Sequence, residues 1–418
     1  MGPSKNSRYD ARQVSVLVAA MLWAVVLLAL APGARGEAAA QPNADGGNGG
    51  SPYVAGELLV LYEPGTSAQT ERAVVRGSGG RTLEDFSGKV RLVSFPGIRR
   101  EEPGKTRARD LKRELRDLRD EPRVEAADYN YIREASFVPN DPKFGDPGQW
   151  GLKKAAFPRA WDRARGRGAK IAIVDSGVYQ NHPDIGKIVA QKDFVSGDAV
   201  ANDPYGHGTH VAGIAAALTD NGRGVAGGCP ACKLLVARVI DSFGNATDSD
   251  VVAAINWSVN NGADVVNLSL GGPQRSSVLE DTIDKAYANG NGAVVVAAAG
   301  NEGTNTKQYP AAYRKVIAVS ATNENDRIAR FSSRGGWVDL AAPGTGILST
   351  RTGGGYDLES GTSESTPFVS ALAGLLASRG KTAAEIRKRM QSTATDLGPA
   401  GDDPYYGHGR INANRAVP

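Results

Sequence analysis

Short apolar runs alternate with amphipathic stretches along most of this chain, starting near residue 137. Five runs rich in Val, Ile and Ala predict strands, at Lys170–Val174, Leu234–Val239, Asp264–Leu268, Ala293–Ala297 and Val316–Ser320. Helices are predicted between them, at His207–Leu218, Ser249–Asn260 and Ser277–Asn289. Continuous apolar strands separated by helices are typical of a parallel sheet buried on both faces. We therefore expect residues 136–418 to form an α/β domain, a parallel sheet sandwiched by helices.

A different pattern covers residues 53–135. Strands are predicted at Glu57–Tyr62, Arg81–Phe86, Lys89–Phe95 and Val124–Ile132, and helices at Ala68–Arg76 and Thr106–Asp120. In the second helix Leu111, Leu115 and Leu118 share one face, which marks the side that packs on a core. The order β-α-β-β-α-β is that of a ferredoxin-like fold, so we expect a separate small α+β domain here.

The first 52 residues predict export. Lys5, Arg8 and Arg12 precede an apolar run from Val14 to Ala31, and Ala34-Arg35-Gly36 offers a cleavage site. This pattern predicts a signal peptide over residues 1–36 and a secreted, extracellular protein, with a retained membrane anchor as the alternative. Residues 37–52 are rich in Gly and Asn and predict a flexible linker.

The charge and the cysteine content limit which partners and which cysteine chemistry the sequence allows. The 418-residue chain has a net charge of only +4 and no basic stripe, so we expect no nucleic-acid partner. Its two cysteines, Cys229 and Cys232, could form a redox pair, half of a zinc site or a disulfide. There is no second cysteine pair or suitable His pair for zinc, and export favours a disulfide that staples a surface turn.

Three polar side chains stand where predicted elements begin or end. Asp175 follows an apolar strand, His207 opens a helix between two glycines, and Ser363 precedes an apolar run. A serine hydroxyl becomes a nucleophile when a base takes its proton and a carboxylate orients that base. The order Asp, His, Ser, with separations of 32 and 156 residues, is the order found in subtilisin. His210, one turn after His207, is predicted to be a buried structural residue.

The motifs around these residues resemble those of the subtilisin-like serine proteases, in their thermitase-like secreted branch. They are Asp175-Ser176-Gly177, His207-Gly208-Thr209-His210, Gly361-Thr362-Ser363 and Ala298-Ala299-Gly300-Asn301. The resemblance extends from about Pro139 to Val417. It implies a serine endopeptidase of broad specificity, with Ser363 as nucleophile, His207 as general base and Asp175 as its orienting acid. It also implies an oxyanion hole formed by the Asn301 amide and the Ser363 N–H.

The resemblance further implies how protein and peptide substrates bind. Two segments would pair with an extended substrate backbone, namely Gly244-Asn245-Ala246 and Ser269-Leu270-Gly271. Recognition of this kind reads the main chain, which favours broad specificity. Ala298, Ala299 and Gly300 would form one wall of the pocket for the residue before the cleaved bond, with Glu302 at its rim.

A structural calcium ion is also implied. The loop 219–225 resembles the family's high-affinity calcium loop, with the Asn221 side chain and the carbonyls of Thr219, Arg223 and Val225 as ligands. Asp141 and Asp184 would supply carboxylates, the hard oxygen ligands that Ca²⁺ prefers. A second site could use Asp193, Asp198 and Asn202, although Ser196 and Val200 replace oxygen-rich ligands there.

Two further expectations follow from the resemblance. The small domain is similar to the inhibitory propeptide of the family and is expected to inhibit its own chain until Ser363 cuts near Glu134-Ala135-Ser136. We expect a monomer.

Two positions depart from the family: Glu364 stands where Met is common, and Phe368 where His is usual. A carboxylate close to His207 is expected to raise its pKa.

Other functions fit the sequence less well. A non-catalytic homologue would have no need of the Asp, His, Ser and Asn set. A lipase or esterase requires Gly-x-Ser-x-Gly and the order Ser, acid, His, and this chain has neither. Glu364 also suggests a carboxyl-type serine protease, which uses Glu in place of the histidine. The His207 motif is present in this chain and argues against that alternative.

Overall fold

The structure is a computed structural model that describes residues 53–86, 89–96, 105–132 and 137–418, with the backbone alone at 105–110 and at 289. The chain divides into two compact units between residues 134 and 135. The predicted signal peptide, the linker and the cleavage segment Glu134–Ser136 lie outside the described residues. Among the helices that the structure describes, none is long and apolar enough to cross a membrane.

The smaller unit has the predicted order of elements. They are β1 (Tyr53–Tyr62), α1 (Ala68–Gly77), β2 (Arg81–Phe86), β3 (Val90–Ser94), α2 (Lys105–Arg119) and β4 (Val124–Tyr131). The strands form an antiparallel sheet in the order β2-β3-β1-β4. Leu111, Leu115 and Leu118 of α2 are buried together with Val60 and Val93 of the sheet, as their spacing predicts. This is the ferredoxin-like arrangement expected from the sequence.

The larger unit is built on a parallel sheet of seven strands in the order β11-β10-β9-β8-β5-β7-β6. The strands are β5 (Lys170–Asp175), β6 (Ile188–Asp193), β7 (Lys233–Arg238), β8 (Val265–Leu268), β9 (Val294–Ala298), β10 (Val316–Thr322) and β11 (Leu340–Pro343). A separate hairpin joins β12 (Ile347–Arg351) to β13 (Gly355–Glu359).

Helices cover both faces of this sheet. They are α3 (Trp150–Lys154), α4 (Phe157–Trp161), α5 (His207–Ala216), α6 (Asp248–Asn260), α7 (Ser277–Tyr287), α8 (Thr362–Ala377), α9 (Ala383–Thr393) and α10 (Ala413–Ala416). Short 3-10 helices occur at Pro142–Gly145, Pro147–Gln149 and Ala288–Gly290. The predicted three-layer α/β fold is therefore confirmed.

Each face of the sheet has its own apolar core. Along β5, Ile171 and Ile173 pack with α5 and α8 in the first core, whereas Ala172 and Val174 pack with α6 and α7 in the second core. This two-sided burial explains why the strands are continuous apolar runs. Because the strands are parallel, their carboxyl ends lie at one edge of the sheet, where functional groups gather in such folds.

Candidate active site

Asp175 and His207 meet at that edge. Asp175 ends β5, and its side chain is fully buried. Its Oδ1 accepts the Ser176 N–H at 2.7 Å and lies 2.8 Å from Nδ1 of His207, whereas Oδ2 has no hydrogen-bond partner among the described residues. An ionised carboxylate only accepts, so Nδ1 carries the imidazole proton and Nε2 keeps a free lone pair. His207 can therefore accept a proton at Nε2.

Glycine at position 208 lets the start of α5 approach β5. His207 is the first residue of α5 and retains 17% exposure of its side chain. A Cβ on Gly208 would lie 2.2 Å from the carbonyl oxygen of Gly177 and 3.2 Å from the side chain of Asp175. A larger residue would push the helix away and lengthen the contact between the histidine and the carboxylate.

Asp203 fixes the start of α5, a role that the sequence analysis missed. Its Oδ2 accepts the Thr209 N–H at 2.8 Å, and its Oδ1 accepts the Gly206 N–H and the Ser176 hydroxyl, both at 2.7 Å. The Ser176 oxygen in turn accepts the Gly208 N–H at 2.8 Å. One carboxylate thus ties the strand end that carries Asp175 to the helix start that carries His207. An Asp shortly before a helix is a capping signal that could have indicated it.

The two histidines of α5 have opposite electrostatics. Burial disfavours the charged form of His207, but the Asp175 carboxylate and its hydrogen bond, with smaller contributions from Glu364 and Glu359, outweigh burial and raise the pKa of His207. His210 is fully buried, as predicted, and burial lowers its pKa to about 4. His210 is therefore neutral, whereas the surroundings of His207 favour its protonated form.

Ser363 lies in the first turn of α8. Its Oγ donates to the carbonyl oxygen of Ser269 at 3.1 Å, and no hydrogen bond to His207 forms among the residues described. Pro367 has no N–H to donate to the carbonyl of Ser363, and that carbonyl accepts the Ser269 hydroxyl at 2.8 Å instead. The Ser363 N–H belongs to the first turn, whose donors have no acceptor within the helix.

The Asn301 side chain lies at the same helix start. Its Oδ1 accepts both the N–H and the hydroxyl of Thr362, each at 2.9 Å. These two donors fix the amide with its Nδ2 group left to donate. A Cβ built on Gly361 would lie 3.3 Å from Nδ2, which places that nitrogen beside the turn that precedes Ser363. Two N–H donors at a helix N-terminus can together bind an oxygen that carries negative charge.

The three predicted substrate-binding segments differ from one another in how they contact Ser363 and the start of α8. Ser269 contacts Ser363 directly, while the main chain of Leu270 and Gly271 makes no backbone hydrogen bond among the described residues and is open to a partner. Gly300 donates its N–H to the Thr362 hydroxyl at 3.1 Å, which joins the Ala298–Gly300 segment to the helix start. The turn Gly244-Asn245-Ala246 is exposed and shares no hydrogen bond with Ser363 in the described part of the chain.

Glu364 is buried behind the nucleophile position, with 3% of its side chain exposed and Oε1 at 3.6 Å from Nδ1 of His210. Burial raises the pKa of Glu364 to about 7; His207 opposes this rise, and Glu359 adds to it. The influence of Glu364 on His207 has the sign that the sequence predicts. Phe368 packs in the first core against Phe157, with ring centroids 6.2 Å apart.

The loop 219–225 brings two buried carboxylates together. Asp184 and Asp141 are 0% and 3% exposed, and both bind Asn221, whose Nδ2 donates to Asp184 at 2.7 Å and whose N–H reaches Asp141 at 3.4 Å. Asp184 also accepts the Val225 N–H at 2.8 Å. In the described part of the chain neither carboxylate forms an ion pair, and burial raises the pKa of both. Two adjacent carboxylates without a counter-charge, beside a loop rich in carbonyls, fit a bound Ca²⁺ ion.

Not every predicted ligand atom of that loop is free. The side-chain oxygen of Asn221 accepts the Arg223 N–H at 2.8 Å. The Thr219 hydroxyl, which is not among the predicted ligands, donates to the Ala217 carbonyl at 3.1 Å and accepts the Gly227 N–H at 3.0 Å. The carboxylates and main-chain carbonyls are therefore better candidates for calcium ligands than the Asn221 side-chain oxygen.

In the loop that carries Asp193, Asp198 and Asn202, the guanidinium of Arg238 already supplies a positive charge. Asp193 binds Nη1 of Arg238 at 2.6 Å through Oδ2 and accepts the N–H groups of Val195 and Ser196 through Oδ1. Its charge and its hydrogen-bonding capacity are satisfied within the chain. The structure therefore argues against the second calcium site considered from sequence, at Asp193, Asp198 and Asn202.

Cys229 and Cys232 are joined by a disulfide with an S–S distance of 2.06 Å. Both are fully buried in the first core, so the expectation of a surface turn was wrong. Two glycines make the room, since a Cβ on Gly166 would lie 2.0 Å from Cys229 Sγ and one on Gly374 would lie 2.7 Å from Cys232 Sγ.

Comparison with known proteins agrees with this geometry. A profile described as the subtilase family matches residues 166–409. Thermitase from Thermoactinomyces vulgaris is 47% identical over 282 residues, which cover 67% of this chain and 99% of thermitase. A thermophilic serine proteinase from Bacillus sp. (strain AK1) is 39% identical over 367 residues, covering 87% and 88% of the two chains. A solved protease from Pseudoalteromonas arctica PAMC 21717 superposes with a TM-score of 0.62 at 32% identity, covering 67% of this chain and 99% of that one. The chain therefore belongs to the subtilase family and is a subtilisin-like serine endopeptidase.

Proposed function

We propose that Asp175, His207 and Ser363 form the catalytic triad of a secreted endopeptidase that hydrolyses protein substrates with broad specificity. The observation that carries this proposal is the 2.8 Å contact between His207 Nδ1 and the buried Asp175 carboxylate. That contact fixes the tautomer that a general base requires. The start of α8 supplies a serine and two N–H donors for the remaining parts of the reaction.

The reaction begins when the Ser363 hydroxyl leaves its bond to the Ser269 carbonyl and turns to His207. Nε2 of His207 takes the hydroxyl proton as Oγ attacks the peptide carbonyl, and the same proton then passes to the departing amine. A water molecule, deprotonated by His207, then attacks the acyl carbon; the bond to Ser363 Oγ breaks, and His207 returns the proton to that oxygen. Asp175 stabilises the imidazolium in both halves, which agrees with the raised pKa of His207.

Negative charge forms on the carbonyl oxygen of the substrate during each attack. The Nδ2 group of Asn301 and the N–H of Ser363 are proposed to stabilise it. The fixed Asn301 amide supports this role, because a donor held in place costs no reorganisation during the reaction. Removal of such an amide costs about 2.7–4 kcal/mol, a figure obtained with subtilisin, a member of the same family.

Substrate is proposed to bind as an extended strand. The open main chain of Leu270 and Gly271 supports pairing on one side, and the exposed turn Gly244–Ala246 is proposed for the other. Ala298, Ala299 and Gly300 leave space for a large apolar side chain. Main-chain pairing and a roomy pocket together favour broad specificity.

A structural Ca²⁺ ion is proposed at Asp141, Asp184 and the loop 219–225. The two buried carboxylates, which form no ion pair with any residue that the structure describes, support it. When bound, the ion supplies charge compensation and holds the loop to the segments that carry Asp141 and Asp184. The carbonyls of Thr219, Arg223 and Val225 and the Asn221 side chain complete the proposed ligand set.

We also propose that the chain is exported by residues 1–36 and matures by removing residues 53–135. The ferredoxin-like fold of the small unit supports a role as an inhibitory propeptide. Ser363→Ala is expected to remain at full precursor length when expressed alone and to be cut when active enzyme is added. Maturation of the isolated Ser363→Ala protein would contradict self-processing.

Casein hydrolysis tests the proposed activity. Matured protein is expected to degrade casein, with activity blocked by a fluorophosphonate and abolished in Ser363→Ala. Ser392→Ala, which changes an exposed serine, is the matched control and should keep full activity. If wild-type protein binds casein without cutting it, the chain is a non-catalytic homologue and the proposal fails.

A further inference from the structure

Three ionisable side chains cluster next to the nucleophile but take no part in the proposed reaction. They are His210 on α5, Glu359 at the end of β13 and Glu364 on α8, and one ligand atom from each lies within 4.8 Å of those from the other two. The side chains of His210 and Glu364 are 0% and 3% exposed, and Glu359 is half-buried. Groups of this chemistry are rarely buried together without a partner.

The tautomer of His210 follows from its surroundings. Nε2 lies 3.1 Å from the carbonyl oxygen of Ile347 and 3.2 Å from that of Asp357. Both neighbours are acceptors, so Nε2 carries the proton and Nδ1 presents a lone pair. Nδ1 is buried and has no hydrogen-bond partner among the described residues.

The lone pair of Nδ1 is aimed at a second acceptor. Oε1 of Glu364 is the facing atom, at 3.6 Å, which is too far for a hydrogen bond. An imidazole nitrogen and an ionised carboxylate oxygen cannot satisfy each other without a proton or a cation between them. Glu359 adds a second carboxylate on the open side of the same space.

We propose that His210, Glu359 and Glu364 form a binding site for a divalent transition-metal ion such as Zn²⁺. Imidazole nitrogen and carboxylate oxygen are both zinc ligands, and three of them leave a fourth position for water. Ligands at the usual zinc distances lie roughly 3.3–3.6 Å apart in a tetrahedron. The 3.6 Å separation between Nδ1 and Oε1 already meets this requirement. A small movement of the half-buried Glu359 brings in the third ligand.

Glu364 directly follows Ser363 in α8, so an ion at this site would lie beside the nucleophile and is expected to slow the proposed reaction. Glu364 and Glu359 are among the carboxylates that favour the protonated form of His207. A bound dication cancels their charge and opposes the imidazolium that each step of the reaction requires. This consequence rests on the proposed role of His207, whereas metal binding does not.

Binding is tested with the full-length Ser363→Ala protein, which cannot digest itself, in buffer that contains Ca²⁺ to occupy oxygen-only sites. Calorimetric titration with Zn²⁺ is expected to show one equivalent bound. Glu359→Gln and Glu364→Gln, which keep size but remove charge, should each weaken binding at least tenfold. Glu324→Gln, at an exposed carboxylate, is the matched control and should bind as before.

Titration with Co²⁺ reports on the same ligands by spectroscopy. Intense visible absorption bands of a tetrahedral Co²⁺ ion are expected and should vanish in Glu364→Gln. The proposal would be overturned if no stoichiometric site is found, or if binding survives in both Gln variants. If no site is found, a proton and not a metal ion lies between Glu364 and His210.

Inhibition is measured separately, on casein hydrolysis by the matured wild-type enzyme. Zn²⁺ at saturating concentration is expected to reduce the rate severalfold, with reversal by a chelator and with resistance in Glu359→Gln. A wild-type protein that lacks peptidase activity would contradict the proposed function, while the calorimetric result would still decide the metal site.

Discussion

Asp175 and Asp184 are both fully buried carboxylates of the larger unit, yet their surroundings differ. Asp175 faces an imidazole at 2.8 Å. Asp184 binds N–H donors from Asn221 and Val225 and lies near the like charge of Asp141, with no ion pair in the described part of the chain. One carboxylate has its partner within the fold, and the other is proposed to take a Ca²⁺ ion from solution.

In the proposed function, this difference separates a carboxylate that serves catalysis from one that serves stability. A carboxylate paired with histidine can stabilise the imidazolium each time the ring is protonated, because the charge on the ring changes during the reaction. A carboxylate paired with a metal ion makes folding depend on the concentration of that ion. Asp193 is a third case, since Arg238 gives it a permanent charge at 2.6 Å. Such a pair needs neither a proton nor an ion.

The largest expected effect comes from Asp175→Asn. The amide cannot hold the productive tautomer of His207 or stabilise its charged form, so kcat should fall about 10⁴-fold, as in subtilisin-type enzymes. The melting temperature should change little because the side chain keeps its size. Casein-peptide kinetics measure the loss, and Asp281→Asn on the exposed face of α7 is the matched control. A loss below tenfold would remove Asp175 from the reaction.

Calcium removal is the next largest effect. If free Ca²⁺ stands at 1,000 times its dissociation constant, chelation costs about 4.1 kcal/mol. For a unit of this size that corresponds to a fall of roughly 10 °C in melting temperature. Calorimetry of the Ser363→Ala protein, with and without chelator, measures it without self-digestion. Asp184→Asn should abolish the calcium-dependent part, and equal melting temperatures in both buffers would contradict the site.

A smaller loss is expected for Arg238→Met. It leaves the buried Asp193 unpaired, which costs 3–5 kcal/mol in a fully buried pair and about 2 kcal/mol here, because Arg238 keeps 13% exposure. Millimolar Ca²⁺ should restore part of the stability by replacing the guanidinium. Arg275→Met breaks a surface pair and serves as the control. An unchanged melting temperature would show that Asp193 is satisfied by its N–H donors alone.

Glu364→Gln is expected to have the smallest effect. An ionised Glu364 favours the charged imidazole and thereby raises the pKa of His207. His207 acts when neutral, so removing that carboxylate should move the acid limb of the kcat/KM profile to lower pH, by less than about one unit. The measurement is made in chelator, which excludes a metal effect. A shift to higher pH, or none, would contradict the electrostatic role of Glu364.

The sequence predicted the fold best where burial is most complete. The five central strands are apolar on both faces, and their predicted bounds agree with the structure within about two residues. The edge strands β6 and β11 were missed. Ile188–Asp193 mixes polar with apolar residues because one side of β6 has no neighbour, and Leu340–Pro343 is too short to give a pattern.

The candidate site was predicted where a motif carries it. Asp175 and Asn301 follow the ends of β5 and β9, as predicted, and His207 and Ser363 lie beside strand ends through their contacts with Asp175 and Ser269. Asp203 and Glu359 were missed because their roles depend on contacts between elements distant in sequence. The Arg238 partner of Asp193 is of the same kind, since 45 residues separate the two and no local pattern links them.

Mass spectrometry of fluorophosphonate-treated, matured protein tests the central claim most directly. The account predicts one covalent adduct per chain, located on Ser363, which forms in step with the loss of casein hydrolysis. The same treatment of His207→Ala should give no adduct at an equal exposure time. Casein hydrolysis that is lost without an adduct on Ser363, or an adduct on another serine, would contradict the assignment of the nucleophile.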